Sequence, residues 1–365
     1  MTDETIGQAL PTATGFAAKQ ALAFLRNRNV ALAPLLRRAG VSETDLEKRP
    51  LRISAIAQGK LLEYAAEALD DSAFGLHLAQ QSNPREAGLL FYVASAAKTV
   101  DEALTLYARY CRIVNEAVRP KLTRSPEGLR TQLHFVGFPR HLTRHNIEFM
   151  AVASIKGLRE MAGRDFRLPQ VSFVHARNSD LREFERFFGC SVEFGALADQ
   201  LDWSNETLAL PLVTEDRYLL DALQPICDEA AKERHTPKGT LRASVEDEVQ
   251  KLLPHRKAKR ETVARALAMS ERTLSRKLTE EHTTYDEILD QLRRSLALQY
   301  IKDRAVSLSQ IAWLLGYEGS TSFNHAFMRW TGRPPSTSRR EKQLHAPHGD
   351  ATAEAGPQSQ NSGPP

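Results

Sequence analysis

The stretch that most restricts how this chain can fold is residues 307–335, SLSQIAWLLGYEGSTSFNHAFMRWTGRPP. Ser307 and Gln310 have the spacing of a capping box. In that device a serine hydroxyl takes a free backbone N–H and the glutamine reaches back to the cap. Leu308, Ile311, Ala312 and Leu315 then recur at helical spacing. Gly316 stands where a helix ends in left-handed backbone, a conformation that costs glycine little. Ser320 is placed to cap a second helix with Phe323 and Phe327 on one face and Thr321, Asn324, His325 and Arg329 on the other. A short helix, a tight turn and a second helix with a polar, cationic outer face describe a helix-turn-helix, whose second helix is shaped for the DNA major groove. An ordinary helical hairpin with a solvated face is the alternative for this stretch taken alone.

Residues 261–281, ETVARALAMSERTLSRKLTEE, repeat the design. Val263, Ala264 and Leu267 mark a short helix, Ala268 and Met269 a turn, and Ser270 a cap. Leu274 and Leu278 form the inner face of the next helix, and Arg272, Thr273, Ser275, Arg276 and Lys277 its outer face. Between the two units, Thr284 and Glu287 again fit a capping box. Tyr285, Ile288, Leu289, Leu292, Leu296 and Tyr300 form one apolar stripe. The spacing predicts a straight linker helix of about 19 residues, roughly 28 Å long. Successive major grooves on one side of B-DNA lie about 34 Å apart, so a rigid helix of this length suits one chain reading two consecutive grooves.

Charge supports the same segment. Residues 1–240 carry 30 basic and 30 acidic side chains, whereas residues 241–340 carry 18 basic against 12 acidic. A basic excess on the segment that holds both motifs is the footprint of a nucleic-acid-binding domain. At 365 residues the chain has room for two or three domains. No apolar run reaches the roughly 18–20 residues of a membrane span, and the acidic start MTDETIGQALPT lacks the features of an export signal. Three scattered cysteines, Cys111, Cys190 and Cys227, form neither a CxxC nor a zinc spacing. A cytoplasmic protein without cofactor or metal is expected.

The first two hundred residues read differently. Helical stripes run through 16–69 and recur at 89–93 and 100–111. The period then drops to two over 118–123 and 129–136, with Ser125-Pro126-Glu127-Gly128 as the turn of a hairpin. A long helix is predicted over 141–161, a strand over 170–175, a helix over 181–188, and strands over 191–194 and 201–203. A helix over 216–233 leads out, and His235-Thr236-Pro237-Lys238-Gly239 breaks the pattern as a linker. The fold class expected is an α+β domain over 16–212, a connecting helix and linker over 213–239, and an all-α domain over 240–340. That last domain holds helix-turn-helix motifs at about 261–282 and 308–331. The composition of 344–365 predicts a disordered tail.

The motifs Met269-Ser270-x-Arg272-x-Leu274-x-Arg276-x-Leu278 and Ile311-Ala312-x-x-x-Gly316-Tyr317-x-x-x-x-x-Phe323-x-x-Ala326-Phe327-x-Arg329-x-x-Gly332-x-x-Pro335 resemble the AraC/XylS family of bacterial transcription regulators. Ala73-Phe74-Gly75-Leu76, Ala162-Gly163-Arg164-Asp165-Phe166 and Arg186-Phe187-Phe188-Gly189-Cys190-x-Val192-x-Phe194-Gly195 resemble the arabinose-binding-like sensor domain of one branch, which includes regulators of ornithine catabolism. The resemblance implies an effector-responsive regulator, more often an activator, that binds double-stranded promoter DNA. It further implies contact with RNA polymerase, a small-molecule effector of unknown identity, and a homodimer. By position, the base-reading residues would be Arg272, Thr273, Ser275 and Arg276 in the first motif and Ser320, Thr321, Asn324 and His325 in the second. Side-chain chemistry agrees, since Arg pairs with guanine O6 and N7 and Asn with adenine N6 and N7. Lys277, Arg329 and Arg333 are better placed for phosphates.

Other chemistry is poorly supported. His141 and His145 are four apart but lack the acidic residue of an HExxH pair, and no nucleophile elbow, P-loop or GxGxxG is present. Cys111 has no neighbour in sequence that would lower its pKa. Phe91, Tyr92, Tyr107 and Tyr110 have core-packing spacing, with a ligand cavity as the alternative. No enzymatic activity is expected. The rival readings are an architectural DNA binder and an enzyme fused to a DNA-binding tail.

Overall fold

The change of period at Val118 marks the point where the chain leaves helices and starts its main sheet. The computed structural model describes residues 11–47, 51–135, 142, 144–177, 179–234, 241–301 and 306–341. Before Val118 come β1 (Thr12–Ala13), α1 (Phe16–Arg26), α2 (Leu32–Ala39), α3 (Glu43–Glu47), β2 (Ile53–Ser54), α4 (Ala55–Leu69) and α5 (Phe74–Gln81). A 3-10 turn at Pro84–Ala87, α6 (Leu89–Ser95) and α7 (Val100–Val114) follow. The hairpin β3 (Val118–Ser125) and β4 (Gly128–Phe135) then leads to α8 (Arg144–Ala162), β5 (Val171–Phe173), α9 (Leu181–Phe188), β6 (Val192–Phe194), β7 (Gln200–Ser204), α10 (Asn205–Leu208) and α11 (Arg217–Lys232).

The strands form a five-stranded sheet in the order β3-β4-β7-β5-β6, antiparallel except for the parallel β5–β6 pair. The hairpin register pairs Ser125 with Gly128 and Val118 with Phe135. Gly128 has φ of 150°, and a Cβ there would stand 1.9 Å from the Trp203 carbonyl oxygen on β7, so only glycine lets the turn lie against the neighbouring strand. Trp203 is buried, and its indole N–H donates to the Thr131 hydroxyl at 3.0 Å. The parallel pair is closed by α9, whose Phe184 and Phe188 meet Phe173 of β5 in an aromatic cluster with Phe194 of β6. The Phe-rich motif around Phe188 is therefore core packing.

The second half is helical: α12 (Leu241–Leu252), α13 (Arg260–Ala266), α14 (Glu271–Glu280), α15 (Tyr285–Tyr300), α16 (Leu308–Leu314), α17 (Ser320–Thr331) and α18 (Pro335–Glu341). It has its own core, built from Val245, Leu274, Leu278, Ile288, Leu292, Phe323 and Phe327 among others. One residue of the first half, Ala176 after β5, is buried in that second core. The mixed class expected from the change of period is the class observed.

Several details differ from the sequence reading. The long helix expected from residue 141 begins at Arg144, and His141 lies outside the described residues. Helix α5 and the two-residue pair β1–β2 carry no period long enough to register. The expected linker at 235–239 and tail at 344–365 also lie outside the described residues.

A charge network with no sequence signature sits beside α5. The Glu148 carboxylate is fully buried on α8, contacts Arg177, and lies 2.8 Å from His175 Nε2 and 3.5 Å from His145 Nδ1. Burial opposes its ionisation, but Arg177 and the two imidazoles overcome that and hold it well below the usual carboxylate range. Burial lowers the pKa of His175.

His77, on α5, is clamped between Asp71 and Glu183, each at 2.8 Å. The hydrogen bond to Asp71, aided by Glu183 against partial burial, raises its pKa to about 9. A raised pKa stabilises the fold below the unfolded value of 6.5 and loses that contribution as pH climbs through about 9. His77→Gln is expected to lower stability by about 0.5–1 kcal/mol at pH 6, the range for solvent-screened pairs. The gap should narrow at pH 10, as measured by denaturant unfolding at both values.

Candidate nucleic-acid interface

In the first motif, α13 buries Val263 and Ala264 and stops at a turn where Ala268 takes a φ of 55°. Ser270 then enters extended backbone and caps α14, its hydroxyl accepting the Thr273 N–H at 3.1 Å. Leu274 and Leu278 are fully buried beneath α14. Arg272, Arg276 and Lys277 are exposed on the opposite side, with Thr273 and Ser275 half-buried at its edge. The Thr273 hydroxyl lies 2.9 Å from that of Ser270, and Arg276 pairs with Glu280 one turn on at 2.5 Å.

The second motif opens with the capping box. The Gln310 N–H donates to the Ser307 hydroxyl at 3.1 Å and the Ser307 N–H to the Gln310 side chain at 2.8 Å. Gly316 adopts φ of 72°, and a Cβ there would lie 2.7 Å from the Leu253 carbonyl oxygen at the end of α12. The position is closed by backbone conformation and by a backbone neighbour together.

Ser320 is not the cap that its place in the sequence suggested. Gly319 is the cap residue, in extended backbone, and Ser320 is the first helical residue, half-buried with its hydroxyl 3.2 Å from that of Ser309 on α16. Phe323 and Phe327 are fully buried, while Thr321, Asn324, His325 and Arg329 are exposed on the far side of α17. Arg329 is held by Asp290 of α15 at 2.5 Å, and Arg333 is exposed.

Helix α15 ties the two motifs together. Thr284 and Glu287 cap it reciprocally, at 2.9 and 3.2 Å. It spans 16 residues, about 24 Å at 1.5 Å per residue, shorter than the roughly 19 expected. Ile301 just beyond it is buried too, but the described helix ends at Tyr300. Its buried stripe of Tyr285, Ile288, Leu292 and Leu296 serves the core of both motifs.

Three polar residues that carry no motif signal fix the second motif in place. Asp290 binds Arg329 and the Trp330 indole N–H at 2.9 Å. Arg293 donates to the Leu315 carbonyl at 2.9 Å and covers the Tyr317 ring at 4.6 Å. Arg256, just after α12, donates to the carbonyls of Tyr317 and Glu318. Asp290 and Arg293 sit on α15 and Arg256 in the turn after α12, and only the fold shows what they face. Arg339 of α18 donates to the Val306 carbonyl at 2.8 Å and so docks the last helix.

The other candidate chemistry resolves into packing. His145 is fully buried and faces Glu148. Among the described residues no group of three or more His, Cys, Asp or Glu is arranged to hold a metal. Burial pushes the Cys111 thiol up to about 12 and, for Cys227, to about 11, which leaves little reactive thiolate. No helix among the described residues is long and apolar enough to cross a membrane. Of the four aromatics, Phe91 and Tyr107 do line a partly open cavity, whereas Tyr92 is exposed and Tyr110 is buried with its hydroxyl on Asp228 at 2.8 Å.

Comparison with known proteins decides the family. A family model described as the N-terminal arabinose-binding domain of AraC transcription regulator matches residues 30–212, and a helix-turn-helix domain model matches 263–341. The chain belongs to the AraC family of transcription regulators. An ornithine utilization regulator of Pseudomonas aeruginosa is 28% identical to it over 295 residues, covering 76% of this chain and 82% of the relative. The transcriptional regulator VirS of Mycobacterium tuberculosis is 26% identical over 313 residues, 84% of this chain and 90% of the relative. Among solved structures, the transcriptional regulator CdpR from Pseudomonas aeruginosa aligns over 89% of this chain and 98% of its own, with a TM-score of 0.44 and 22% identity. This AraC-family protein is thus a DNA-binding transcription regulator of the helix-turn-helix type.

Two substitutions probe how the second motif of this AraC-family regulator is held. Gly316→Ala is expected to destabilise the C-terminal half by about 1–3 kcal/mol through strain and contact with the Leu253 carbonyl. Phe323→Ala should cost about 3–5 kcal/mol. Thermal unfolding followed by circular dichroism measures both.

Proposed function

We propose that this regulator is an effector-responsive, sequence-specific activator whose α14 and α17 enter two consecutive major grooves of promoter DNA. The observation that carries this reading is that both recognition helices rest on one core around α15, with α17 clamped by Asp290 and Arg293. Rigid spacing of that kind makes the separation of the two DNA subsites a fixed length.

In this reading Arg272, Thr273, Ser275 and Arg276 read bases in one groove, and Thr321, Asn324 and His325, with Ser320 at the rim, in the next. Arg272 and Arg276 bring bidentate donors suited to guanine, and Asn324 suits adenine. Lys277 and Arg333 face phosphates. Arg329 joins them by exchanging Asp290 for a phosphate or by bridging both. Residues 16–212 form the effector and dimerisation domain, 213–239 the connection, and 240–340 the DNA-binding domain. The chain acts in the cytoplasm as a homodimer that engages RNA polymerase and carries out no catalysis.

Footprinting and equilibrium binding at fixed salt, comparing a selected site with random duplex, test the reading. Arg276→Ala should weaken specific binding by about 1–3 kcal/mol and relax preference at one base pair. Lys277→Ala should weaken all sequences alike and lower the salt slope by about one. Inserting about five base pairs, half a helical turn, between the two subsites should abolish tight binding. Equal affinity for selected and random DNA would instead identify an architectural binder.

A further inference from the structure

The N-terminal half holds a partly open cavity of about 120 Å³ between α1, α4, α6, α7 and α8. Phe91, Leu104, Tyr107, Phe149 and Met150 form much of its wall, Ala153 leaves room on the α8 side, and no Asp, Glu, Lys, Arg or His lines it. A dry apolar cavity of about 150 Å³ accepts benzene, so this one suits a small molecule of comparable girth.

Its wall is not wholly apolar. Gln58 of α4 and Asn146 of α8 are both more than nine-tenths buried and face the cavity. The Gln58 amide nitrogen lies 3.5 Å from the Asn146 amide oxygen, and the other ends, Gln58 Oε1 and Asn146 Nδ2, have no partner among the described residues. Reversing both amides leaves the same result, one open acceptor beside one open donor. The Tyr107 hydroxyl, by contrast, is engaged with Ser154. Leaving two buried amide ends unpaired costs about 1–3 kcal/mol each. A ligand that brought both complementary groups would recover that cost. A zwitterionic amino acid would find no counter-charge here and would be buried unpaired, a larger penalty.

The position of the cavity links it to the other half. Helix α8 lines it with Asn146, Phe149, Met150 and Ala153, and between them carries Glu148. Glu148 holds His175 and Arg177, which flank Ala176, the residue buried in the core of the DNA-binding half.

We propose that this cavity is the effector site and that it takes an uncharged, largely apolar small molecule ending in a primary amide or lactam. The carbonyl accepts from the open N–H of the Gln58–Asn146 pair, and the ligand N–H donates to the open oxygen. The assignment rests on reading the N-terminal half as an effector domain. Its test needs no DNA, so its failure and the failure of the DNA reading are separable.

The experiment is isothermal titration calorimetry and thermal unfolding of the full chain with hexanamide, toluene and lysine. Hexanamide should bind and raise the unfolding midpoint with concentration. Toluene should bind at least about tenfold more weakly, and lysine not at all. Ala153→Leu, which fills the cavity, should abolish the response to hexanamide. Gln58→Leu combined with Asn146→Leu, which removes both amides and leaves neither one unpaired, should keep the fold and bring hexanamide down to the level of toluene, a loss of about tenfold. The proposal is overturned if no probe binds the wild-type chain, which would leave a packing gap filled by water. It is equally overturned if lysine binds better than hexanamide, or if the Gln58→Leu/Asn146→Leu double variant binds hexanamide as the wild type does.

Discussion

The geometry of the DNA-binding half depends on α15 being one unbroken helix that two motifs share. Each motif alone is a pair of short helices, and helices of seven to twelve residues are not stable by themselves in water. Tyr285, Ile288, Leu292 and Leu296 give both pairs a common apolar surface. The gain is directional as well as energetic. Asp290 and Arg293 lie on the same helix, Asp290 holding Arg329 and Trp330 at the end of α17 and Arg293 the Leu315 carbonyl and Tyr317 ring before its start. Removing apolar contact from α15 would loosen both units together, whereas removing either polar clamp would free only the second.

The sequence disclosed the parts of this arrangement whose cause is local. A capping box is four residues long, and both boxes, at Ser307–Gln310 and Thr284–Glu287, are formed as their spacing requires. Gly316 and the buried pair Phe323 and Phe327 were readable for the same reason. The cap of α17 falls on Gly319, one residue before Ser320, whose hydroxyl lies instead beside that of Ser309, eleven residues away in sequence and a neighbour only in the fold. The apolar stripe of α15 ends with the helix at Tyr300, and the longer expectation counted polar residues on either side of that stripe.

In the N-terminal half the hairpin and α9 were legible from period and turn chemistry, but the chemistry of the interior was not. Glu148, His175 and Arg177 are dispersed polar residues with no common spacing, and nothing in a linear reading places them on one another. The same holds for Gln58 and Asn146, which are 88 residues apart. Buried polar pairs arise from tertiary contact, so a sequence shows them only as exceptions to a helical stripe. The four aromatics illustrate the limit. Their spacing placed all of them on helices, yet Phe91 and Tyr107 line the cavity, Tyr110 is buried against Asp228, and Tyr92 faces solvent.

The seat of Ala176 in the second core is a small contact. Burying one methyl-sized group stabilises by about 0.8 kcal/mol, which corresponds to about a fourfold change in an equilibrium constant. In the proposed coupling of effector to DNA, the apolar part of that seat on its own would change the DNA affinity by about that factor, a graded dial rather than an on–off latch. A steeper response would draw on Arg177 and His175 beside it.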